Sequence, residues 1–390
     1  MIPQATPHLL KPPNLKEYEM HDINLDNEII DESRKAEESV AYLKSVNKKI
    51  AVYGAGVYSY VIANYLKSQG IDNIIHFVDD QFLEDTHFID ETCYSYSEII
   101  DHKEDYNIVI GFTNYDWALE KLQKSGVNDP IIIDVPDFIN NPDPFFTSDY
   151  IFQNHEQFVH VLNFFEDDLS RRSYCANLNA RLNQDAKYIK EFVRVDHLYF
   201  SNKEFFINNN GTLVDVGSYN GDSITDSINT DNIFSKYLCL EPNKRLHHDI
   251  LNVATKHNVS DRTEVIGYAA WHEETALCID LTDKEIDSKV TGRQNSNESL
   301  IVTTTTIDQI TRNQVEPVTM IKLDINGAEY EALRGAEETI KKQRPFIAVK
   351  LHTKENLWRI PMLLKRINPN IKLYIRQRNY MSMMLVLYAQ

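Results

Sequence analysis

The sequence lacks any run of about 18 apolar residues, so no segment reads as a membrane-spanning helix. Its opening stretch, MIPQATPHLLKPPNLKEYEM, has no apolar signal core, and export through a signal peptide is not expected. Cysteine is scarce. Cys93, Cys175, Cys239 and Cys278 stand far apart, follow no metal-ligand spacing and read as free thiols of a reducing, cytoplasmic compartment. A cationic surplus is missing too: the formal net charge is −18, which argues against nucleic acid as the main partner, because phosphate binding relies on clustered cations. The basic residues gathered between Lys341 and Arg378 read mainly as a solvated helix face. No metal is expected, since His247 and His248 are neighbours on one expected helix and cannot easily share an ion.

What is present is ordinary globular material, 42% hydrophobic and 25% charged in 390 residues. That length suggests roughly two to three domains. Continuous β-branched runs at Ile50–Tyr53, Ile74–Val78, Asn107–Gly111 and Ile131–Val135 alternate with helical stretches, as buried parallel strands do. A second series of strand-like runs starts at Thr212–Val216 and closes with Lys372–Arg376 and Met384–Tyr388. The expected fold is α/β, with two doubly wound Rossmann-like domains joined by a helical segment. The boundaries read as an N-terminal helical extension over 1–46, a small α/β domain over 47–140, a helical linker or cap over 141–206 and a larger α/β domain over 207–390. Within the extension a helix is expected from about Asn27 to Lys44.

The stretch LVDVGSYNGDS, Leu213 to Ser223, resembles a nucleotide-binding turn with the wrong spacing. Gly217 and Gly221 bracket Ser218, Tyr219 and Asn220, and Asp215 precedes them on the strand while Asp222 follows. Glycine lets backbone approach a ligand closely. Ligands of open α/β sheets bind beyond the carboxyl ends of the strands, and here those ends carry Asp215, Glu241 and Asp324. Three acids repel a dinucleotide's phosphates but suit a phosphate-free nucleoside with hydroxyls and cationic groups, as in S-adenosylmethionine. Glu241, about 20 residues beyond the loop, sits where a ribose-binding acid is expected. The adenine end would fall at Tyr268-Ala269-Ala270-Trp271, where no acid is available; backbone near Ala270, or stacking on Trp271, would have to serve.

These motifs together resemble a known family. MIKLDINGAEYEALRGAEETI (Met320–Ile340), RPFIAVKLHTKENLWRIPMLL (Arg344–Leu364), LVDVGSYNGDS, CLEPN (Cys239–Asn243) and VTTTTIDQI (Val302–Ile310) look like the FkbM-type methyltransferases, over roughly residues 200–390. The resemblance implies a class I methyltransferase fold and S-adenosylmethionine as donor. It also implies an oxygen acceptor, often on a glycan sugar or a natural product. Asp324 and His352 are then the candidate catalytic residues, with a helix cap as the alternative reading of Asp324. Glu329, Lys350 and His352 are candidates for substrate binding, although an acid in the first helical turn is favourable in any protein.

Near the N-terminus, VYGAGVYS (Val52–Ser59) has Gly54 and Gly56 in a fingerprint that places Ser59 where a third glycine belongs. Asp79 and Asp80 end the next strand, where a ribose contact would lie. This run resembles the N-terminal domains of bacterial sugar acyltransferases, which can hold a nucleotide sugar. Gly54, Gly56 and Asp79 are thus candidate substrate contacts, with a ligand-free scaffold as the bland alternative. The leading expectation is a methyltransferase acting on a small-molecule or sugar-linked acceptor. An NAD-dependent or nucleotide-sugar-modifying enzyme centred on the N-terminal domain, and a non-catalytic nucleotide-binding module, remain alternatives. A homo-oligomer is left open.

Overall fold

The computed structural model describes residues 23–83, 92–133, 146–194, 197–201, 204–280, 289–291 and 299–390. In the N-terminal unit, β1 (Lys49–Tyr53), β2 (Ile74–Val78), β3 (Cys93–Ser95), β4 (Tyr106–Ile110) and β5 (Ile131–Ile132) form a parallel sheet in the order β3-β2-β1-β4-β5. The strand order reverses beside β1, whose carboxyl end is therefore the switch point of the sheet. The expected continuation of β5 to Val135, and all of 1–22, lie outside the described residues.

In the C-terminal unit, β6 (Thr212–Val216), β7 (Lys236–Leu240) and β8 (Thr263–Ile266) are followed by β9 (Ala269–Ala270), β10 (Ala276–Asp280), β11 (Lys289–Thr291) and β12 (Ser299–Thr305). Then come β13 (Val318–Leu323), β14 (Phe346–Lys350), β15 (Leu373–Gln377) and β16 (Leu385–Ala389). A seven-stranded sheet runs β15-β16-β14-β13-β6-β7-β8, with β16 antiparallel to both of its neighbours. This is the class I methyltransferase arrangement expected from the sequence. A smaller sheet, β11-β10-β12-β9, stands over the end of β8. Most of the polar insert at 282–299 falls outside the described residues.

The helix Asp168–Asn183 joins the two units, and twelve of its sixteen residues are buried. Burial all round is what a helix needs when it lies between two layers. Tyr174, Leu178 and Leu182 enter the core of the C-terminal unit, whereas Ala176 and Ala180 pack with Tyr53 and Phe77 of the N-terminal sheet.

The same helix corrects one expectation. A single helix over Asn27–Lys44 does not form; Leu25–Glu28 and Arg34–Ser45 are separate helices. Asn179 receives Ile30 N–H on Oδ1 at 2.9 Å and donates to Glu28 O at 2.8 Å, while Asn183 donates to Ile30 O at 2.7 Å. These side-chain amides take the backbone groups that a continuous helix would have paired, and the chain runs extended between them. The helical reading of 153–206 holds for His155–Leu162 and Asp168–Asn183, beyond which only short 3-10 turns occur among the described residues.

Candidate active site

The carboxyl ends of β6, β7 and β13 open into a cavity of about 290 Å³. The loop after β6 forms its floor. Gly217 has φ +81°, and a Cβ there would lie 2.2 Å from Asp324 O, so only glycine lets the loop pass against the end of β13. Gly221, with φ +86°, leads into the helix Asp222–Asn229 and lies close to Ile250 and Val253.

Glu241 ends β7 and lines this cavity. Its carboxylate receives Tyr219 N–H on Oε2 at 3.0 Å and Asn243 N–H on Oε1 at 2.9 Å. The acid is thereby fixed in orientation with acceptor capacity to spare. Burial pushes its carboxyl up to about 7, against the pull of those two amides and of Lys322.

Asp215 does not reach the cavity. It is fully buried one layer below, opposite Lys322 in the β6–β13 register, with Lys322 Nζ 3.0 Å from its Oδ1. Lys322 also donates to Gly217 O at 2.7 Å and lies over the Tyr199 ring. Burial works against its charge, but Asp215, Asp324 and Asp222 more than compensate and hold its pKa above the ordinary lysine value.

Asp324 follows β13 and faces the cavity. The next helix begins at Glu329 with Ala328 as its N-cap, so Asp324 is not a helix cap. Its carboxylate receives Tyr199 O–H on Oδ2 at 2.7 Å; Lys350 Nζ lies 3.4 Å and His352 Nε2 3.2 Å from Oδ1. Burial pushes the carboxyl up, yet Lys350 and His352 hold it well below the usual carboxylate range. Behind it, buried His352 meets Glu329 Oε1 at 2.7 Å through Nδ1. The imidazole lies between two carboxylates: burial and Lys350 oppose its charge, Glu329 and Asp324 favour it, and the net direction of its pKa is upward.

Glu329 is fully buried, and its carboxylate also receives the N–H groups of Ile325 and Gly327 and the Asn356 amide. It faces inward, behind Asp324, rather than into the cavity. Asp324, Glu329 and His352 offer ligand atoms within 4.8 Å of one another. The two carboxylates, however, occupy opposite nitrogens of one imidazole beside a lysine, which is the pattern of a proton-sharing chain rather than a cation cradle.

Tyr219, Asp222, Ala270 and Lys350 line the cavity together with Gly217, Glu241 and Asp324, while Ser218 is buried behind the loop. Where the sequence reading expects adenine, the ring at the cavity wall belongs to Tyr268, not Trp271. Trp271 N–H is tied to Thr305 O, and its carbonyl packs where a Cβ on Gly335 would sit, 2.1 Å away; the chain has turned by then. Two contributors escaped the sequence reading. Tyr199 arrives from the segment before β6, and Lys322 is a charge inside an apolar strand. Only the second left a signal, because a lysine in a buried parallel strand demands a partner.

At the switch point of the N-terminal sheet, Gly54 has φ +130° and Gly56 caps the helix Val57–Ser68 without a side-chain hydrogen bond. Asp79 is engaged by Tyr53 O–H and by Lys121 Nζ, the latter at 2.6 Å. Tyr53 stacks on Phe77 at 4.6 Å and meets Phe112 edge-on.

Residues 215–381, which include Gly217, Glu241, Asp324 and Lys350 of the cavity wall, match the methyltransferase FkbM domain. The C-terminal unit is thus similar to the FkbM methyltransferase domains. Residues 49–117 match the PglD N-terminal domain. The crystal structure of methyltransferase FkbM from Methylobacillus flagellatus KT is similar over 90% of this chain and 92% of that one, with 17% identity and a TM-score of 0.65. Both units of the fold are thus shared with that protein. A putative rRNA-methylase from Clostridium thermocellum overlaps 47% of this chain and 87% of its own, at 13% identity and a TM-score of 0.31. Aeropyrum pernix fibrillarin overlaps 47% and 67%, at 10% identity and a TM-score of 0.30. No curated protein matches the chain. Among the described residues no helix is long and apolar enough to cross a membrane.

Proposed function

We propose that the FkbM domain transfers a methyl group from S-adenosylmethionine to a hydroxyl of a sugar-like acceptor. The observation that carries this reading is Glu241, an oriented acid at the end of β7, in a cavity whose other charged groups at the far end are the Asp324–Lys350 pair. Ribose hydroxyls are donors suited to Glu241, and the acids Asp222, Glu241 and Asp324 favour a cationic nucleoside over a phosphate-bearing one.

Bound S-adenosylmethionine would supply a methyl group already activated by a sulfonium. At the acceptor end, Asp324 can receive a hydroxyl proton while Lys350 donates to the same acceptor, and their separation of 3.4 Å leaves both with capacity for a third group. A carboxylate held below the ordinary range is a weak base for a free alcohol. It suffices if the proton leaves late, because the oxygen becomes strongly acidic as its bond to carbon forms. Tyr199 and His352 fix the carboxylate, so positioning supplies most of the acceleration.

The N-terminal unit is proposed to hold or present the acceptor, with the loop Gly54–Gly56 and the open start of the helix Val57–Ser68 available to an anionic group. The described cysteines are all free, which fits a cytoplasmic enzyme. The test is transfer of labelled methyl from S-adenosylmethionine to a panel of nucleotide sugars and free glycans, with release of S-adenosylhomocysteine as the readout. Transfer to nitrogen acceptors alone would sink the hydroxyl assignment.

A further inference from the structure

Arg181 lies on the helix between the units, and its side chain is 1% exposed. Its guanidinium is engaged along three N–H groups: Nη1 donates to His352 O at 2.9 Å, Nη2 to Leu351 O at 2.7 Å, and Nε to Asn177 Oδ1 at 2.8 Å. Strand β14 ends at Lys350, and Leu351 N–H makes the last ladder bond, to Leu385 O. The chain then peels away from the sheet, so the carbonyls of 351 and 352 lose their sheet partners while buried. A planar fork offers two adjacent carbonyls separate N–H groups in a fixed geometry, whereas a lysine presents both with one rotating ammonium.

We infer that Arg181 is a positioning residue for the methyltransferase site, setting through the Leu351–His352 backbone where the His352 ring stands between Asp324 and Glu329. Asn177 holds the fork from behind and donates to Gln377 Oε1 and Ser382 O, so the turn after β15 is locked to the same helix. On the opposite side Ala180, one residue away, packs in the core of the N-terminal sheet. The helix therefore carries a rigid connection from that sheet to the residue that orients Asp324. The charged and titratable groups around His352 are Asp324 after β13, Glu329 on the following helix, Lys350 on β14 and Arg181 itself, with Tyr199 on the far oxygen of Asp324. A ring displaced from this position loses one of its two carboxylates and with it part of what raises its pKa.

The inference rests on the role given above to Asp324, but its test does not need an acceptor. Full-length protein labelled with ¹⁵N-histidine is titrated by NMR, the His352 resonance being assigned from the signal lost in His352→Gln. In the native protein that ring is expected to titrate above the ordinary imidazole range. In Arg181→Gln it should titrate at least about one pH unit lower, with Arg181→Lys between the two and S-adenosylhomocysteine affinity within about twofold of native. If Arg181→Gln does not fold, Asn177→Ala, which removes the brace on Nε together with the bonds to Gln377 and Ser382 but leaves the guanidinium in place, should shift the same resonance in the same direction. A folded Arg181 variant whose His352 titrates as in the native protein would overturn the inference. Absence of S-adenosylhomocysteine binding by the native protein would instead sink the proposed function and leave this measurement intact.

Discussion

Lys322 Nζ lies 3.0 Å from Asp215 Oδ1; Asp215 is sealed beneath the floor of the cavity, and Lys322, itself almost fully buried, lines it. The parallel register of β6 and β13 sets them opposite each other, and the same ammonium holds Gly217 O. One buried cation therefore ties a strand acid to the first glycine of the binding loop. Removing one partner of such a pair leaves an uncompensated buried charge. Lys322→Met is expected to cost about 3–5 kcal/mol in denaturant unfolding. A loss below about 1 kcal/mol would show that the pair behaves like an exposed one.

Glu241 gives the site a pH dependence near neutrality. Burial holds its carboxyl up at about 7, well above the ordinary glutamate value of about 4.5. The stability it contributes is complete below about pH 4.5 and is lost as the pH rises through about 7. Hydroxyl donors bind the ionised form, so S-adenosylhomocysteine binding should strengthen from roughly pH 6 to pH 8 and release up to about one proton. Calorimetry in buffers of different ionisation enthalpy measures that release. Binding that ignores pH across this range would remove Glu241 from the contact.

Asp324→Asn separates donor binding from turnover. The amide keeps the shape and still accepts from Tyr199, but it cannot take a proton. Affinity for S-adenosylhomocysteine should change by less than about threefold, while the transfer rate falls by about 100-fold or more, the usual worth of a positioned proton acceptor. A rate loss under about tenfold would assign Asp324 to structure alone.

In the N-terminal unit, Lys121 and Asp79 form a half-exposed ion pair at 2.6 Å. Such pairs contribute less than about 1 kcal/mol, so Lys121→Met should leave unfolding nearly unchanged. If this unit receives a nucleotide sugar, the same variant should weaken binding of a UDP-sugar several-fold; unaltered binding would place the sugar elsewhere.

The strands of the C-terminal unit and the placement of Glu241 and Asp324 at their ends were legible because they follow from local pattern; the order of those strands in the sheet was implied only by the family resemblance. β6 begins and ends where Thr212–Val216 reads as a strand, and Asp324 falls one residue after the apolar run of β13. Contacts between distant segments were not legible. Nothing local marks Tyr199 as the donor to Asp324, or Arg181 as the brace of the turn at His352, since 125 and 171 residues separate those partners. The broken helix at 29–33 was misread for the same reason: Asn179 and Asn183 reach across about 150 positions to take its hydrogen bonds. Asp215 was read as a wall of the cavity because strand-end position fixes height along the sheet, whereas depth depends on Lys322 beside it.

The most direct test of the methyl-donor site is calorimetric titration of the native protein and of Glu241→Gln with S-adenosylhomocysteine. The site described here predicts clear saturable binding by the native protein and a loss of about tenfold or more in the variant, as removal of a charged acceptor from ribose hydroxyls demands. No binding by the native protein, or equal binding by both, would contradict it.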